Sequence, residues 1–476
     1  MNVWFVASEA APLVKTGGLA DVAGALPKAL GSLGIDVTVV LPKYGAIPAS
    51  YKASSVPHGH FRVSLGWRSV YCGLEELTVD GVRFLLIDNE TYFKRDQLYG
   101  YGDEAERFVF FSMAVLEAMA RCDRLPDVLH CHDWQTGLVP FLLRTRYSYL
   151  PQFRSIRTVF TIHNLHYQGV FGRELLQDLL GAGDDMFGQD GLEFYGAGSC
   201  MKAGIRYADK LTTVSPSYAA EIQSSEYGER LDGLLRQRAG DLTGIVNGID
   251  TSSYDPAGDP HLAAPYSRSS GGKRLNKRPL QQELGLEPDE EVPVIGIVSR
   301  LVAQKGLELI GEALPALMAE DVQLAVLGSG DARYERMLLD GAAAYPGRLA
   351  VRLRFDEGLA RRIYAGSDLF LMPSLFEPCG LSQLISLRYG TVPIVRETGG
   401  LRDTVQSFNE YTGEGNGFSF GPAAAHDLAY TVRRALSFYR DREAWERIVR
   451  NGELSDIGWE TSAGRYAELY RELLKG

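Results

Sequence analysis

The sequence predicts an α/β protein with two doubly wound parallel-sheet domains in tandem. Short apolar segments of strand length alternate with amphipathic helical segments, and the same alternation restarts after residue 290. This alternation is typical of parallel sheets that are covered by helices on both faces. The length of 476 residues agrees with two or three domains.

The first series of elements ends near residue 250. Its predicted strands are Val3–Ala7, Val37–Leu41, Phe84–Ile87, Val128–Cys131, Thr158–Ile162 and Leu211–Val214. Between strands, apolar residues recur at helical spacing, as they do from Leu19 to Leu30 and from Phe108 to Leu116. The spacing therefore predicts helices that cover the sheet.

The second series predicts strands at Val294–Val298, Leu324–Leu327, Leu349–Leu353, Leu369–Met372 and Val392–Val395. Between the two series, the stretch from Asp255 to Glu291 is polar and rich in Pro, Gly, Ser and basic residues. Such composition predicts a hinge or interdomain connection there. The segment from Trp459 to Leu474 has a helical apolar face and predicts a final helix.

Composition excludes several classes of protein. With 49 basic and 60 acidic residues, the net charge is −11, whereas proteins that bind nucleic acid or anionic membranes usually carry a basic excess. The apolar run from Val292 to Val298 is far shorter than the ~18 residues of a spanning helix. The opening run Val3–Val6 has no positive flank, so we expect no signal peptide. The five cysteines form no Cys-x-x-Cys pair, which favours reduced thiols in the cytoplasm.

The loop after the first predicted strand contains a candidate anion site. Ligands of doubly wound sheets bind beyond the carboxyl ends of the strands. Lys15, Gly17 and Gly18 lie there, at the start of a helix whose backbone N–H groups suit a phosphate. The alternative is an ordinary helix-starting turn, because neither the dinucleotide fingerprint nor the P-loop spacing is present.

The second predicted sheet has charged residues in the corresponding loops. Arg300 and Lys305 follow the strand Val294–Val298, and two cations can neutralise a departing diphosphate without a metal. Glu377 follows Leu369–Met372 and suits sugar hydroxyls or positive charge at an anomeric carbon. The alternative for Glu377 is a helix-terminus charge worth ~0.3–1 kcal/mol.

A histidine cluster ends two strands of the first series. Strand alternation directs His130 and His132 to one side, and Asp133 follows them. A metal site needs a third ligand that the sequence does not identify. A sugar site is favoured instead, because Trp134 offers a flat apolar face beside the Asp133 carboxylate, and His163 ends the next strand.

Together these segments resemble the bacterial and plastid glycogen and starch synthases, which are retaining glycosyltransferases of GT-B architecture. The resemblance covers essentially the whole chain. Its motifs are KTGGLADV at Lys15–Val22, YGYGDEAERFVFFS at Tyr99–Ser112, HCHDWQTGLVP at His130–Pro140, TIHNLHYQGVF at Thr161–Phe171, VSRLVAQKG at Val298–Gly306, PSLFEPCGLSQL at Pro373–Leu384 and RYGTVPIVRETGGLRDTV at Arg388–Val405.

The resemblance implies a fold and a reaction. It implies two Rossmann-like domains facing a deep central cleft, with an N-terminal domain over residues 1–246, a C-terminal domain over 247–456, and a final helix over 457–476 that packs back on the first domain. It implies transfer of glucose from ADP-glucose to the non-reducing end of an α-1,4-glucan such as glycogen, with retention of configuration. No metal or other cofactor is expected, and the motifs do not indicate an oligomeric state.

The resemblance also implies roles for individual residues. The expected catalytic residues are His163, Arg300, Lys305 and Glu377. The expected ADP-glucose contacts are Lys15, Gly17, Gly18, Asp21, Asn247, Phe355, Cys379, Gly380, Leu381 and Thr398, and the expected acceptor contacts are Asp133, Trp134 and Tyr99. The chain departs from the family pattern at Arg354, where Gly is common, and at Leu375, where Arg is frequent.

Other functions remain to be weighed against this one. A related transferase could use UDP-glucose or another acceptor, and a catalytically silent protein could merely bind glucan. A nicotinamide-dependent oxidoreductase is disfavoured, because Gly328-Ser329-Gly330 is followed by Arg333 where the fingerprint requires glycine. A glucan phosphorylase would need a pyridoxal-bearing lysine that the sequence does not indicate.

Overall fold

A computed structural model describes residues 1–267 and 271–475. The chain forms two compact units, the first of residues 1–247 with 459–476 and the second of residues 248–458. The predicted α/β class, with parallel sheets in two domains, is confirmed. In the described part of the chain, no helix is long and apolar enough to cross a membrane.

The first unit contains a nine-stranded sheet and a small three-stranded sheet. Its strands are β1 (Asn2–Val6), β2 (Asp36–Pro42), β3 (Val56–Leu65), β4 (Arg68–Val79), β5 (Val82–Asp88), β6 (Val128–His132), β7 (Arg157–Ile162), β8 (Val170–Gly172), β9 (Glu193–Phe194), β10 (Ala197–Ser199), β11 (Lys210–Thr213) and β12 (Leu242–Gly244). The large sheet has the order β12-β11-β7-β6-β1-β2-β5-β4-β3. Its connections change direction between β1 and β6, which places the loops after these two strands side by side.

Helices flank this sheet. They are α1 (Gly18–Ser32), α2 (Ala49–Ser54), α3 (Glu90–Phe93), α4 (Glu104–Met119), α5 (Leu138–Arg144), α6 (Arg173–Leu180), α7 (Cys200–Tyr207), α8 (Pro216–Glu221) and α9 (Asp232–Gln237). Helix α4 carries apolar residues on nearly every face and is buried along most of its length. Such a helix belongs to the interior of its unit.

The second unit contains a six-stranded parallel sheet. Its strands are β13 (Val294–Val298), β14 (Gln323–Leu327), β15 (Leu349–Arg352), β16 (Leu369–Met372), β17 (Val392–Arg396) and β18 (Phe418–Phe420). Its helices are α10 (Lys277–Leu284), α11 (Leu307–Met318), α12 (Ala332–Ala344), α13 (Glu357–Gly366), α14 (Ser382–Arg388), α15 (Gly399–Thr404), α16 (Ala425–Arg440) and α17 (Arg442–Glu453). The order β15-β14-β13-β16-β17-β18 is that of nucleotide-binding sheets, with its switch point between β13 and β16.

Both faces of the second sheet are covered by apolar packing. Ile297 and Val326 pack in one buried cluster with helix residues such as Leu314. On other strands, Phe370 packs with Leu384 in a separate cluster. A parallel strand buried on both faces explains why the sequence shows continuous apolar runs there.

The chain returns to the first unit in its last helix, α18 (Glu460–Lys475). Tyr466 and Tyr470 are completely buried, and the Tyr470 hydroxyl lies 2.6 Å from Nδ1 of His130 on β6. In addition, the Ser462 hydroxyl donates to the carbonyl of Val246 at 2.5 Å. These contacts hold the helix in the first unit by both apolar burial and polar bonds.

Two features differ from the sequence expectations. The large sheet includes β4, which runs antiparallel to β3 and β5, and a separate antiparallel sheet joins β8, β10 and β9. Moreover, the polar stretch Asp255–Glu291 is not the connection between units, because it lies within the second unit. Buried Tyr266 and Leu280 anchor it, and the Lys273 ammonium donates to the Ala365 carbonyl at 2.7 Å.

Candidate active-site residues

In the second unit, the predicted residues converge at the switch point of the sheet. Arg300 and Lys305 follow β13, and Glu377 follows the neighbouring strand β16. Gln304 ties the two loops together, since its side-chain amide donates to the Phe376 carbonyl at 3.1 Å. The sequence expectation that these side chains gather after the strands therefore agrees with the sheet order.

A buried ion pair occupies this position. The Lys305 ammonium donates to Oε2 of Glu377 at 2.6 Å, and the Ser374 hydroxyl donates to the same oxygen at 2.9 Å. The Glu377 side chain is 8 % exposed and the Lys305 side chain 17 %. A carboxylate removed from water in this way is stabilised by its two donors.

The turn before α11 requires glycine at position 306. Gly306 has φ +69°, and a Cβ there would lie 2.0 Å from the carbonyl oxygen of Pro373. The loop that carries Lys305 therefore packs directly against the backbone that leads to Glu377. This close approach is what brings the two charged groups together.

A second turn supports Glu377 from the other side. The Gly400 N–H donates to the Glu377 carbonyl at 3.1 Å, and Thr398 and Cys379 are buried beside it. The Gln383 amide donates to the carbonyl oxygens of Cys379 and Gly380 at 3.0 and 2.9 Å, and Leu381 directly precedes α14. This Gly-pair turn at Gly399 and Gly400 thus uses its Gly400 N–H to hold the Glu377 segment.

Other predicted donor contacts of the second unit are exposed. Arg300 is exposed, and its guanidinium has no hydrogen-bonding or ion-pairing partner among the described residues. The Phe355 ring is 85 % exposed. The preceding Arg354 points to Asp356, to which its guanidinium donates at 2.8 and 3.0 Å. Arg300 and Phe355 are therefore accessible to a ligand.

In the first unit, the Gly-pair loop is already occupied by a carboxylate. The N–H groups of Thr16 and Gly17 donate to Oε2 of Glu9 at 2.5 and 3.2 Å. Glu9 is not among the residues predicted from the sequence, and its place between β1 and a Gly-pair turn is the one signal that marks it. Glu9 thus accepts from the Gly17 N–H that the sequence predicts for a phosphate, and a contact of Gly17 with ADP-glucose stays a prediction.

Nearby, Lys15 and Asp21 pair with each other. The Lys15 ammonium donates to Oδ1 of Asp21 at 2.7 Å, and both side chains are partly exposed. Gly18 is the first residue of α1. Burial raises the pKa of Glu9 above its ordinary value, although its hydrogen bonds to Thr16 and Gly17 oppose this.

Asp133 and His163 lie together beyond β6 and β7. Oδ1 of Asp133 accepts from the backbone N–H groups of His163 and Asn164 at 2.8 and 3.4 Å. Burial raises the pKa of the Asp133 carboxyl to about 7, although these bonds favour the ionised form. The two residues predicted from separate motifs are thus in direct contact.

Trp134 forms the floor of an open cavity of 490 Å³ in the first unit. The cavity is lined by Glu104, Trp134, His166, Tyr167, Gln168, Gly169, Val170, Phe171, Phe194, Glu229 and Arg230. Trp134 itself is 8 % exposed, because the rings of Phe108 and Phe171 pack against it. Its face is therefore less available than the sequence suggested, and exposed Tyr167 and Arg230 supply much of the rim.

Tyr99 is half-buried and Asn247 is buried, and neither lines the cavity. The Tyr99 hydroxyl lies 2.8 Å from the Ser8 hydroxyl, and its ring packs 6.1 Å from Phe108. Asn247 is the last residue of the first unit before the chain enters the second. Its Oδ1 is buried and has no hydrogen-bond partner among the described residues.

The histidine cluster does not have the arrangement of a metal site. His130 uses both ring nitrogens, at 2.6 Å from the Tyr470 hydroxyl and 2.6 Å from the Thr161 hydroxyl. His132 Nδ1 lies 2.9 Å from Nε2 of His163. Within residues 1–267 and 271–475, no group of three or more His, Cys, Asp or Glu side chains could hold a metal ion.

Comparison with known proteins gives consistent matches along the chain. Residues 2–237 match the family described as the starch synthase catalytic domain, and residues 282–452 match the glycosyl transferases of group 1. A glycogen synthase of Desulforamulus reducens is 56% identical over 475 residues, covering 100% of this chain and 99% of that protein. One from Geobacillus thermodenitrificans is 55% identical over 476 residues, covering 100% and 98%.

A solved structure is similar over the same length. The catalytic domain of starch synthase IV from Arabidopsis thaliana, bound to ADP and acarbose, superposes with a TM-score of 0.93 at 35% identity. The superposition covers 100% of this chain and 99% of the solved one. The likeness thus extends over both units.

Proposed function

The chain belongs to the starch and glycogen synthase family of glycosyltransferases, and on that premise we propose that it transfers glucose from ADP-glucose to the non-reducing end of an α-1,4-glucan, with retention of configuration. The observation that carries the proposal is the buried Lys305–Glu377 pair at the switch point of the second sheet. The names of the full-length relatives and the ADP bound to the solved relative support it.

The donor chemistry follows from the charges in the second unit. When the bond between the anomeric carbon and the diphosphate breaks, negative charge develops on phosphate and positive charge on the sugar. Arg300 and Lys305 would neutralise the phosphate, and the Glu377 carboxylate would stabilise the sugar. Because the Lys305 ammonium lies 2.6 Å from the Glu377 carboxylate, the loops after β13 and β16 together present a positive and a negative charge.

The acceptor side of the proposal uses the first unit. The 490 Å³ cavity over Trp134 combines aromatic rings with charged and amide groups, which suits a chain of sugar rings with hydroxyl edges. Asp133 and His163 lie beyond the adjacent strands β6 and β7. We assign Asp133 and Trp134 to the acceptor, Tyr99 to the packing behind them, and His163 to the sugar being transferred.

The remaining donor contacts are assigned on the family resemblance. Lys15, Gly18 and Asp21 would lie by the nucleotide, as would Phe355, whose exposed ring suits contact with a base. Asn247 would orient sugar hydroxyls. Because fixed cations serve the diphosphate, the reaction is proposed to need no metal.

The proposal also places the enzyme in the cytoplasm. All five cysteines are free thiols, and a reducing compartment keeps thiols in that state. Four of them, Cys72, Cys131, Cys200 and Cys379, are buried, so an oxidised form would disturb the packing.

The direct test compares nucleotide donors. Purified full-length protein is incubated with glycogen and radiolabelled ADP-glucose or UDP-glucose, each with and without EDTA. We expect incorporation to be strongly preferred from ADP-glucose and unchanged by EDTA. Equal or better turnover with UDP-glucose would favour the related transferase, and glycogen binding without turnover would favour the silent glucan-binding protein. Loss of activity in EDTA that a divalent ion restores would refute metal independence.

A further inference from the structure

Two consecutive residues at the end of β6, His132 and Asp133, hold His163 by its ring and by its backbone. The Asp133 carboxylate accepts from the His163 N–H at 2.8 Å, and Nδ1 of His132 lies 2.9 Å from Nε2 of the His163 ring. Asp133 has φ 57° and ψ −179°, a region that non-glycine residues rarely adopt. A strained backbone persists only where its surroundings enforce it, and here the Asp133 N–H donates to the Thr161 carbonyl at 3.0 Å while its carboxylate accepts from His163.

The His132 ring is enclosed. It packs against Phe5, with ring centroids 4.0 Å apart, and against His130, at 4.2 Å. Burial lowers the pKa of His132 well below its ordinary value and that of His163 to about 3. Each ring is therefore neutral and carries a single proton, which can lie on Nδ1 or on Nε2.

The unpaired nitrogen of His132 decides between these tautomers. Its Nε2 is buried and has no partner among the residues that the structure describes. A proton on that nitrogen would create a buried N–H donor with no acceptor, which is rarer in proteins than an unused acceptor. The favoured proton position is therefore Nδ1, from which His132 donates to Nε2 of His163.

The tautomer of His163 follows from that of His132. Since Nε2 of His163 accepts, its own proton must lie on Nδ1. Nδ1 of His163 makes no hydrogen bond within residues 1–267 and 271–475, and His163 is 9 % exposed. His163 then presents a neutral N–H donor at the surface of the first unit.

We propose that His132 is a positioning residue that fixes His163 as the Nδ1–H tautomer, so that His163 donates a hydrogen bond to an oxygen of the sugar being transferred. The identity of that sugar rests on the proposed function, whereas the tautomer does not. Without His132, the ring could rotate or take the Nε2–H form that free histidine prefers. Nδ1 of His163 would then present an acceptor to the sugar in place of the N–H donor.

Nitrogen NMR tests the tautomer without any assay of activity. The full chain is labelled with ¹⁵N-histidine, and a His163→Gln variant assigns the His163 signals. We expect wild-type His163 to show a protonated Nδ1 and an unprotonated Nε2. His132→Leu, which removes the bond but keeps an apolar side chain, should shift His163 toward Nε2–H. His132→Asn, whose amide can donate from the position of Nδ1, should restore Nδ1–H.

Kinetics tests the consequence. We expect His132→Leu to lower kcat by about tenfold, the loss of one hydrogen bond, with the glycogen KM within about twofold. His132→Asn should recover most of this loss. His130→Leu is the matched control, because His130 is equally buried beside His132 but does not contact His163; its kcat should stay within about threefold.

Either of two results would overturn the proposal. One is an Nε2–H form of His163 in the wild-type protein, which remains readable even if His132→Leu fails to fold. The other is the same kcat loss in His132→Leu, His132→Asn and His130→Leu, which would indicate general structural damage. If the protein transfers no glucose from any donor, the proposed function fails while the NMR result still decides the tautomer.

Discussion

The ion pair between Lys305 and Glu377 holds together two charges that the proposed reaction uses separately. Lys305→Ala should lower kcat by ~10²–10³-fold, comparable to the loss of one oxyanion donor. Stability should also fall, because Glu377 would keep a buried charge without its cation. Lys305→Arg should restore activity only in part, since a planar guanidinium cannot reproduce the position of the ammonium. Steady-state kinetics and thermal denaturation measure both effects.

Glu377→Gln separates charge from structure at the same site. The amide keeps the size and can still accept from Ser374, whose hydroxyl lies 2.9 Å from the native carboxylate. If the charge stabilises the sugar cation, kcat should fall by at least about tenfold, with little change in the ADP-glucose KM. A kcat within about threefold of wild type, with only a lower Tm, would make Glu377 a structural residue. Lys94→Ala, in an exposed helical ion pair, is the control and should change neither quantity.

Asp133 should make stability depend on pH in an identifiable direction. Burial raises its pKa from 3.8 to about 7, so the folded protein binds this proton more tightly than the unfolded chain does. The contribution to the free energy of unfolding is present at low pH and is lost as pH rises from about 4 to 7, by at most ~1.4 kcal/mol per unit. Asp133→Asn, which cannot titrate, should lack this decline.

Chemical denaturation between pH 5 and 8 measures the difference. Titrating groups that do not interact with Asp133 contribute equally to both proteins and cancel when the variant is subtracted from the wild type. The charge of Glu9 raises the pKa of Asp133, so both proteins are also measured in a Glu9→Gln background. The variant should gain stability relative to wild type as pH rises. Parallel pH profiles for the two proteins would show that Asp133 keeps an ordinary pKa.

The position of the charged residues at the ends of strands was predictable from the sequence, but their partners were not. Arg300, Lys305 and Glu377 each follow an apolar strand, and that position alone marks them as ligand-side residues. Glu9 and His132 instead act through contacts to residues 8 and 31 positions away, which only the folded chain brings together. The occupation of the Gly17 N–H by Glu9 is therefore a finding of the structure.

Among the elements, the loop between β7 and β8 depends on a glycine against Trp134. Gly169 has φ +57°, and a Cβ there would lie 2.2 Å from the Trp134 ring. Gly169→Ala should displace either the loop or the ring, and so deform the proposed acceptor cavity. We expect the glycogen KM to rise by roughly tenfold, about 1.4 kcal/mol, with the ADP-glucose KM nearly unchanged.

Gly172→Ala is the matched control for this loop. Gly172 lies three residues further along, has φ −55°, and a Cβ there would meet no atom of the described residues within 4 Å. Its kinetic constants should equal those of wild type. Equal effects of the two substitutions on the glycogen KM, or a larger effect of Gly169→Ala on the ADP-glucose KM, would remove the cavity from the acceptor site.

The buried parallel strands were predictable as elements, whereas the edge of the first sheet was not. Strands such as β13 and β16 are apolar throughout, because helices cover both of their faces. Strand β3 is exposed over its first five residues, and β4 mixes polar and apolar positions. Such edge strands carry a weak apolar pattern, so neither the hairpin nor its antiparallel direction could be inferred from apolar runs.

At the scale of the whole molecule, the first unit is discontinuous in sequence. The chain leaves it after Asn247 and returns at Trp459, so α18 is added after the second unit is complete. The polar composition of residues 255–291 suggested a connection, but buried Tyr266 and Leu280 make that stretch part of the second unit. A polar composition indicates that residues are exposed, not that they connect two domains. Each unit is defined by the contacts among its own residues.

The most direct measurement follows the position of newly transferred glucose in the product. Glycogen is extended with radiolabelled ADP-glucose and then digested with β-amylase, which releases maltose from non-reducing ends by cutting α-1,4 links. Transfer to the non-reducing 4-hydroxyl with retention predicts that essentially all label is released as maltose, and that Glu377→Gln incorporates far less. Label that resists β-amylase, or no incorporation from ADP-glucose by the wild-type protein, would contradict the proposed reaction.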